Sequence, residues 1–147
     1  MIGLDVGGTK IDAVHFDGRI VHKERMQTPD SIEEFDRIIE EVKAWDPKDN
    51  IKMALAGYVI NGKVMRSPNL PWLDGIDVAK RYGCEVLNDA NAFALAQLGE
   101  HKNYLAITLG TGIGMGIVID EELYSGKGSA GEVGRTFFHD KELEDMF

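Results

Sequence analysis

The chain has 147 residues, 44% of them apolar, and a formal net charge of −9, which suits one ordinary domain or one and a half small ones with a packed core. The acidic balance argues against a nucleic-acid partner, whose binders concentrate positive charge, and a lone cysteine, Cys84, excludes an internal disulfide or a four-cysteine metal site and reads as a core residue. No apolar run reaches the ~18 residues of a membrane span and no basic-then-apolar leader opens the chain, so the sequence points to the cytoplasm.

Residues 2–6 read as a strand, followed by a glycine turn. "KIDAVHF" and "RIVHKERMQ" are extended runs separated by Asp17-Gly18, a strong hairpin signal. Ser31 with Glu34 makes a capping box ahead of Ile32, Phe35, Ile38, Ile39, Val42 and Trp45 at helical spacing, with Asp46-Pro47 as the stop. "IKMALAG" reads as a buried strand, "YVINGKVMR" as a hairpin through Asn-Gly, and "SPNLPWLDG" as a rigid loop. "IDVAKRYG" is a short helix, "CEVLND" a short strand, and "ANAFALAQLG" a helix stopping at Gly99. "NYLAITLGTGIGMGIVIDEELYSG" then repeats the opening. Shifted back by 103 residues, it sets Gly110 on Gly7, Ile117 on Val14 and Asp120 on Asp17.

The two glycine turns carry the chemistry. "IGLDVGGTKI" nearly spells a Walker P-loop, but Thr9 precedes Lys10, and a strand follows where that loop needs a helix. "GTGIGMG" likewise leads into a strand and lacks the dinucleotide-binding spacing. Both turns therefore join strand to strand. Two readings stand: tight hairpins only, or phosphate cradles in which glycine amides and the Thr9 or Thr111 hydroxyl face an anion. Asp5 interrupts an apolar strand beside the first turn, which makes sense if Mg²⁺ sits between carboxylate and phosphate. Asp89 can serve as the N-cap of the helix after it.

"IGLDVGGTKI", "SPNLPW", "VLNDANAFALAQLGE", "LGTGIGMGIVID" and "GKGSAGEVG", in that order, resemble the ROK family of sugar kinases. The resemblance covers this whole chain but only roughly the first half of a family member. It implies an α/β fold of the actin/hexokinase/Hsp70 type. A ribonuclease-H-like lobe with a mixed sheet and flanking helices would span residues 1–100, and the first strands of a second lobe 101–147. It implies ATP-dependent phosphorylation of a hexose, glucose or a related sugar, by in-line transfer. Asp5 would organise Mg²⁺ through water. Gly7, Gly8, Thr9 and Lys10 would form a first phosphate loop, and Gly110, Thr111 and Gly112 a second, on the opposite lobe. Asp89 would be the general base, and Asn69, Asn88 and Glu132 would bind sugar hydroxyls.

The family pattern continues G-E-[IV]-G-H into a zinc-binding cysteine cluster. Here Arg135 replaces the histidine, no cysteine follows, and His139 has no companion ligands, so no zinc is expected. Arg135, a permanent donor, becomes a candidate contact for a sugar hydroxyl or an anionic group. The family's adenine pocket has no counterpart in these residues. The rival readings are a non-catalytic sugar-binding or regulatory remnant and one half of a split kinase. An unfinished second sheet favours self-association or a complementary chain. Sugar and nucleotide are the small-molecule partners expected.

Overall fold

Ile2–Val6 form β1, whose alternate residues Ile2, Leu4 and Val6 turn inward. The chain reverses through residues 7–9 into β2 (Lys10–Phe16) and again through Gly18 into β3 (Ile20–Gln27), each antiparallel to the strand before it. Gly18 takes the left-handed conformation that the Asp-Gly turn requires. The computed structural model describes residues 1–99, 101–110 and 112–143.

Helix α1 (Ile32–Lys43) begins where the capping box places it, with the Glu34 amide donating to Ser31 Oγ at 3.3 Å. It stops at Lys43, short of the Asp46-Pro47 break. Strand β4 (Ile51–Leu55) leads into the hairpin β5 (Tyr58–Ile60) and β6 (Lys63–Arg66), turned by Asn61 and Gly62, both at positive φ. The "SPNLPWLDG" loop contains a 3₁₀ turn, Pro71–Leu73, that buries Leu70 and Leu73 completely. Helix α2 (Val78–Tyr82) ends at left-handed Gly83 and delivers the chain to β7 (Glu85–Asn88). The sheet runs β3-β2-β1-β4-β7; β1, β4 and β7 are parallel, so it is mixed. Ile2, Leu4, Val6, Ile11, Ala13, Ile51, Met53 and Leu55 form one core with Phe35, Ile39 and Val42 of α1. Cys84 packs against this core, where burial pushes its thiol up to about 11.

The second unit is smaller. Helix α3 (Asp89–Leu95) covers one face of a three-stranded sheet, β10-β9-β8, made by β8 (Tyr104–Leu109), β9 (Ile113–Ile119) and β10 (Glu122–Leu123). Ala94, Ala106 and Val118 are its core, and Tyr104 donates its hydroxyl to the Ala94 carbonyl at 2.7 Å. α3 ends at Leu95, well before Gly99. A two-stranded ribbon, β11 (Phe137–Phe138) and β12 (Lys141–Glu142), follows. The compact units are Met1–Asn88 and Asp89–Phe147. No helix among the described residues is long and apolar enough to cross a membrane.

The internal repeat holds with one change. Ile2 pairs with His15 across β1 and β2, whereas Leu105 pairs with Ile117 across β8 and β9. Ile117 therefore corresponds to His15 and not to Val14. The turn after Leu109, residues 110–112, is one residue shorter than the turn after Val6, residues 7–10. Side chains alternate faces along a strand, so keeping the gapless alignment would have turned β9 over.

Candidate functional site

In the first unit the glycine turn is braced from within and from behind. The Gly7 amide donates to the Lys10 carbonyl at 3.0 Å. Buried Thr28, just past the end of β3, donates its hydroxyl to the Gly7 carbonyl at 2.6 Å and its amide to the Thr9 carbonyl at 3.2 Å. Gly8 has a steric reason to be glycine: a Cβ there would stand 2.6 Å from the Cβ of Asn69. The exposed Asn69 thus lies directly against the turn. Two stretches that sequence places sixty residues apart, "VGGTK" and "SPNLPW", meet at this contact.

Asp5, exposed near the end of β1, sits directly across from Asp12, and Asp12 directly across from Arg25, so the three form a row over β1, β2 and β3. Like charges facing each other are unfavourable unless something neutralises them. Arg25 does this for Asp12 with two hydrogen bonds, at 2.7 and 3.0 Å, and together with nearby Lys10 it holds the Asp12 carboxyl below its ordinary range. With Asp12 committed to Arg25, the Asp5 carboxylate beside the glycine turn is the hard oxygen donor of the kind Mg²⁺ prefers, so it fits that ion. Lys10, more than half exposed, reaches Asp12 at 3.9 Å. A different group of metal-type side chains, His15, Asp46 and Asp49, has ligand atoms within 4.8 Å of one another. It lies at the opposite end of β1, about 16 Å along the strand from the turn. Asp49 is already paired there with His15 at 2.9 Å and with the Met1 ammonium.

Asn88 ends β7 and donates its side-chain amide to the Gly57 carbonyl at 2.9 Å. In the second unit, Asp89 opens α3 and its Oδ1 accepts the Ala90 amide at 2.9 Å. The helix is pressed onto β9 by glycines: a Cβ on Gly114 would meet Thr108 Oγ1 at 2.5 Å and the Ala90 Cβ at 2.8 Å, and one on Gly116 would strike Ala94. The glycines of "GTGIGMG" therefore divide in role. Gly110 and Gly112 close the turn, the Gly110 amide donating to the Gly112 carbonyl at 3.0 Å, while Gly114 and Gly116 make room for α3 and so fix where Asp89 emerges. Thr111 lies outside the described residues. Arg135 closes a 3₁₀ turn that follows Glu132 and pairs with it at 3.7 Å, so the substituted arginine is turned toward an expected sugar ligand.

Sequence reasoning missed Thr28, Asp12 and Ser67. Their partners are 21, 13 and 11 residues away in the chain, and no local pattern announces such hydrogen bonds. Asp12 alone left a trace, as a second acid in an otherwise apolar hairpin.

The ROK family pattern matches residues 1–144. The chain belongs to the ROK family. Among curated ROK relatives, the N-acetyl-D-glucosamine kinase of Mannheimia succiniciproducens is 33% identical over 91% of this chain and 51% of its own length. The N-acetylmannosamine kinase of Vibrio cholerae is 32% identical over 90% of this chain and 53% of its own. A crystal structure of a ROK glucokinase from Streptomyces griseus, in complex with glucose and AMPPNP, superposes with a TM-score of 0.76 at 34% identity, covering 92% of this chain and 50% of that one. The mixed sheet and its flanking helices are accordingly the α/β architecture of the ROK fold. The chain spans about half the length of the curated relatives it matches.

Proposed function

We propose that this chain carries the sugar-binding and phosphate-binding machinery of an ATP-dependent sugar kinase of the cytoplasm, acting together with a complementary segment or second copy. The observation that carries the reading is the contact of exposed Asn69 with Gly8, which brings a polar, proline-flanked loop onto the glycine turn beside Asp5. The acceptor is a hexose or its N-acetylamino derivative, the class named for the curated relatives and for the glucose-bound structure.

In this reading Asn69, Asn88, Glu132 and Arg135 hold the sugar through paired donors and acceptors. A missing hydroxyl then leaves a protein group unsatisfied, which is how such a site discriminates. Asp89 takes the proton from the attacking hydroxyl as its oxygen bonds to the γ-phosphorus and the bond to the β-phosphate oxygen breaks, releasing ADP. The amides of Gly7, Gly8 and Thr9, the ammonium of Lys10, and the turn of Gly110, Thr111 and Gly112 bind phosphate oxygens. Asp5 would hold Mg²⁺ through water, and the ion would supply charge neutralisation to those oxygens when bound.

The test is ADP release against a panel of glucose, N-acetylglucosamine, N-acetylmannosamine and mannose. Asp89→Asn is expected to lower turnover by about 10²- to 10⁴-fold while leaving sugar binding in place. Turnover equal to wild type would remove Asp89 from the role of base, and absence of both binding and turnover for every sugar would remove the reading itself.

A further inference from the structure

One short piece of backbone, Ala56-Gly57, touches three of the elements discussed above. The Ala56 amide donates to the carbonyl of Val6, the last residue before the Gly7–Lys10 turn, at 3.1 Å. The Ala56 carbonyl accepts the hydroxyl of Ser67 at 2.5 Å. The Gly57 carbonyl accepts the Asn88 amide at 2.9 Å. Gly57 sits at φ +138, and a Cβ there would come within 2.7 Å of the Ser67 Cβ and 2.9 Å of the Arg66 carbonyl. The junction is therefore closed by packing as well as by hydrogen bonds.

Ser67 is the member of this junction that reaches Asn69. It is 1% exposed. Its hydroxyl, while donating to Ala56, accepts the Leu70 amide at 3.1 Å, and its own amide donates to Asp74 Oδ1 at 2.6 Å. The Leu70 amide also reaches the Ser67 carbonyl at 3.2 Å. These bonds pin both ends of the 67–74 loop, and buried Leu70 and Leu73 anchor its floor. Pro68 and Asn69 are left exposed at the tip, with Asn69 against Gly8.

We propose that Ser67 is a positioning residue: by joining the Ala56 carbonyl to the 67–74 loop it sets where Asn69 stands relative to the glycine turn and to Asn88. The proposal rests on the reading of Asn69 as a sugar ligand. Ser67→Ala keeps the Cβ that packs on Gly57 and deletes only the hydroxyl. A partly unfolded sample loses kcat in proportion to its active fraction and keeps its KM, whereas a displaced Asn69 raises the KM for sugar.

Two measurements are made on the same samples. In ¹H–¹⁵N spectra of the chain, Ser67→Ala is expected to shift the Gly8 amide and the Asn69 side-chain amide while the Arg81 Nε signal stays in place. In kinetics with the preferred sugar, its KM is expected to rise about tenfold. Asp74→Ala should reproduce both effects in milder form, and Asp74→Asn, which keeps the acceptor for the Ser67 amide, should return both readings to wild type. Those two variants carry the test if Ser67→Ala does not fold. Unshifted Gly8 and Asn69 signals, or shifted signals with an unchanged KM, would overturn the proposal. A wild-type protein that binds no sugar would instead overturn the functional reading, and the ligand role assigned to Asn69 with it.

Discussion

β1 and β8 are corresponding strands of the internal repeat, yet their environments are opposite. Ile2, Leu4 and Val6 are at most 3% exposed, whereas Leu105, Ile107 and Leu109 are 56–80% exposed. Each strand pairs with its hairpin partner. β1 has β4 on its other edge and α1 in the core over its apolar face. β8 is the edge of its sheet, and α3 packs on the opposite face, against Gly114, Gly116 and Ala106. Across the hairpin Leu105, Ile107 and Leu109 pair with Ile117, Met115 and Ile113, which are half-buried. The strand–turn–strand unit therefore does not bury itself. What buries it in the first unit is the helix and parallel strand that follow.

The sharpest test of this contrast is truncation at matched positions. Leu4→Ala is expected to destabilise the first unit by about 2–5 kcal/mol, because it empties a packed site. Ile107→Ala in the corresponding position should fall within about 0.5 kcal/mol, as a surface substitution. Urea unfolding monitored separately by Trp45 or Trp72 fluorescence and by amide signals of β8 reads both. A large loss from Ile107→Ala would mean that the β8 face is covered in solution.

A second pair separates the two kinds of glycine in "GTGIGMG". Gly116→Ala puts a methyl against Ala94 and within 2.8 Å of the Ala90 carbonyl, and should cost about 1–3 kcal/mol by overpacking α3. Gly110→Ala meets nothing within 4 Å and should leave thermal stability near wild type while weakening nucleotide binding. Equal thermal losses from the two would erase the division of roles drawn between them.

The smallest expected effect is electrostatic and belongs to the first unit. Asp36 accepts a fork of hydrogen bonds from Arg81, at 2.6 and 3.0 Å, and one from the Tyr82 hydroxyl at 2.8 Å. The Arg81 guanidinium is the main cause of its lowered pKa. A carboxyl whose pKa is depressed by folding contributes stability above its ordinary value near 3.8, and loses it as pH falls from there through the lower folded value. Asp36→Asn removes that contribution, so it should lower the urea midpoint slightly at pH 6 and converge with wild type as pH falls through the folded value, which flattens the acid limb. In the second unit the ion pair Glu132–Arg135, at 3.7 Å, links neighbours on one short turn and gives no comparable brace between elements.

The strands and turns of the first unit were legible because their signals are local. Asp17-Gly18, Asn61-Gly62, Ser31 with Glu34, and Gly83 each fix a backbone conformation within four residues. The register of the second hairpin was not, because β9 alternates apolar side chains with glycines, and a one-residue slip leaves its pattern plausible. The 3₁₀ turn at Pro71–Leu73 was hidden by the prolines on either side of Asn69, which mark a loop without saying that Leu70 and Leu73 plunge into the core. In the candidate site, Asp5 stood out because it breaks an apolar strand, whereas Asn69 and Asp89 were singled out by the family resemblance. Ser67 and Thr28 did not stand out, since a buried hydroxyl acquires meaning only from a carbonyl that folding brings to it.

Cys84 has a practical consequence. It is the chain's single cysteine, and burial pushes its thiol up to about 11, so at neutral pH almost none of it is the reactive thiolate. The wild-type chain thus offers a chemically quiet background for site-directed labelling. A dye on Asn69→Cys or Ile107→Cys would report from that position alone, turning the tip of the 67–74 loop and the bare strand of the second unit into places that can be watched directly.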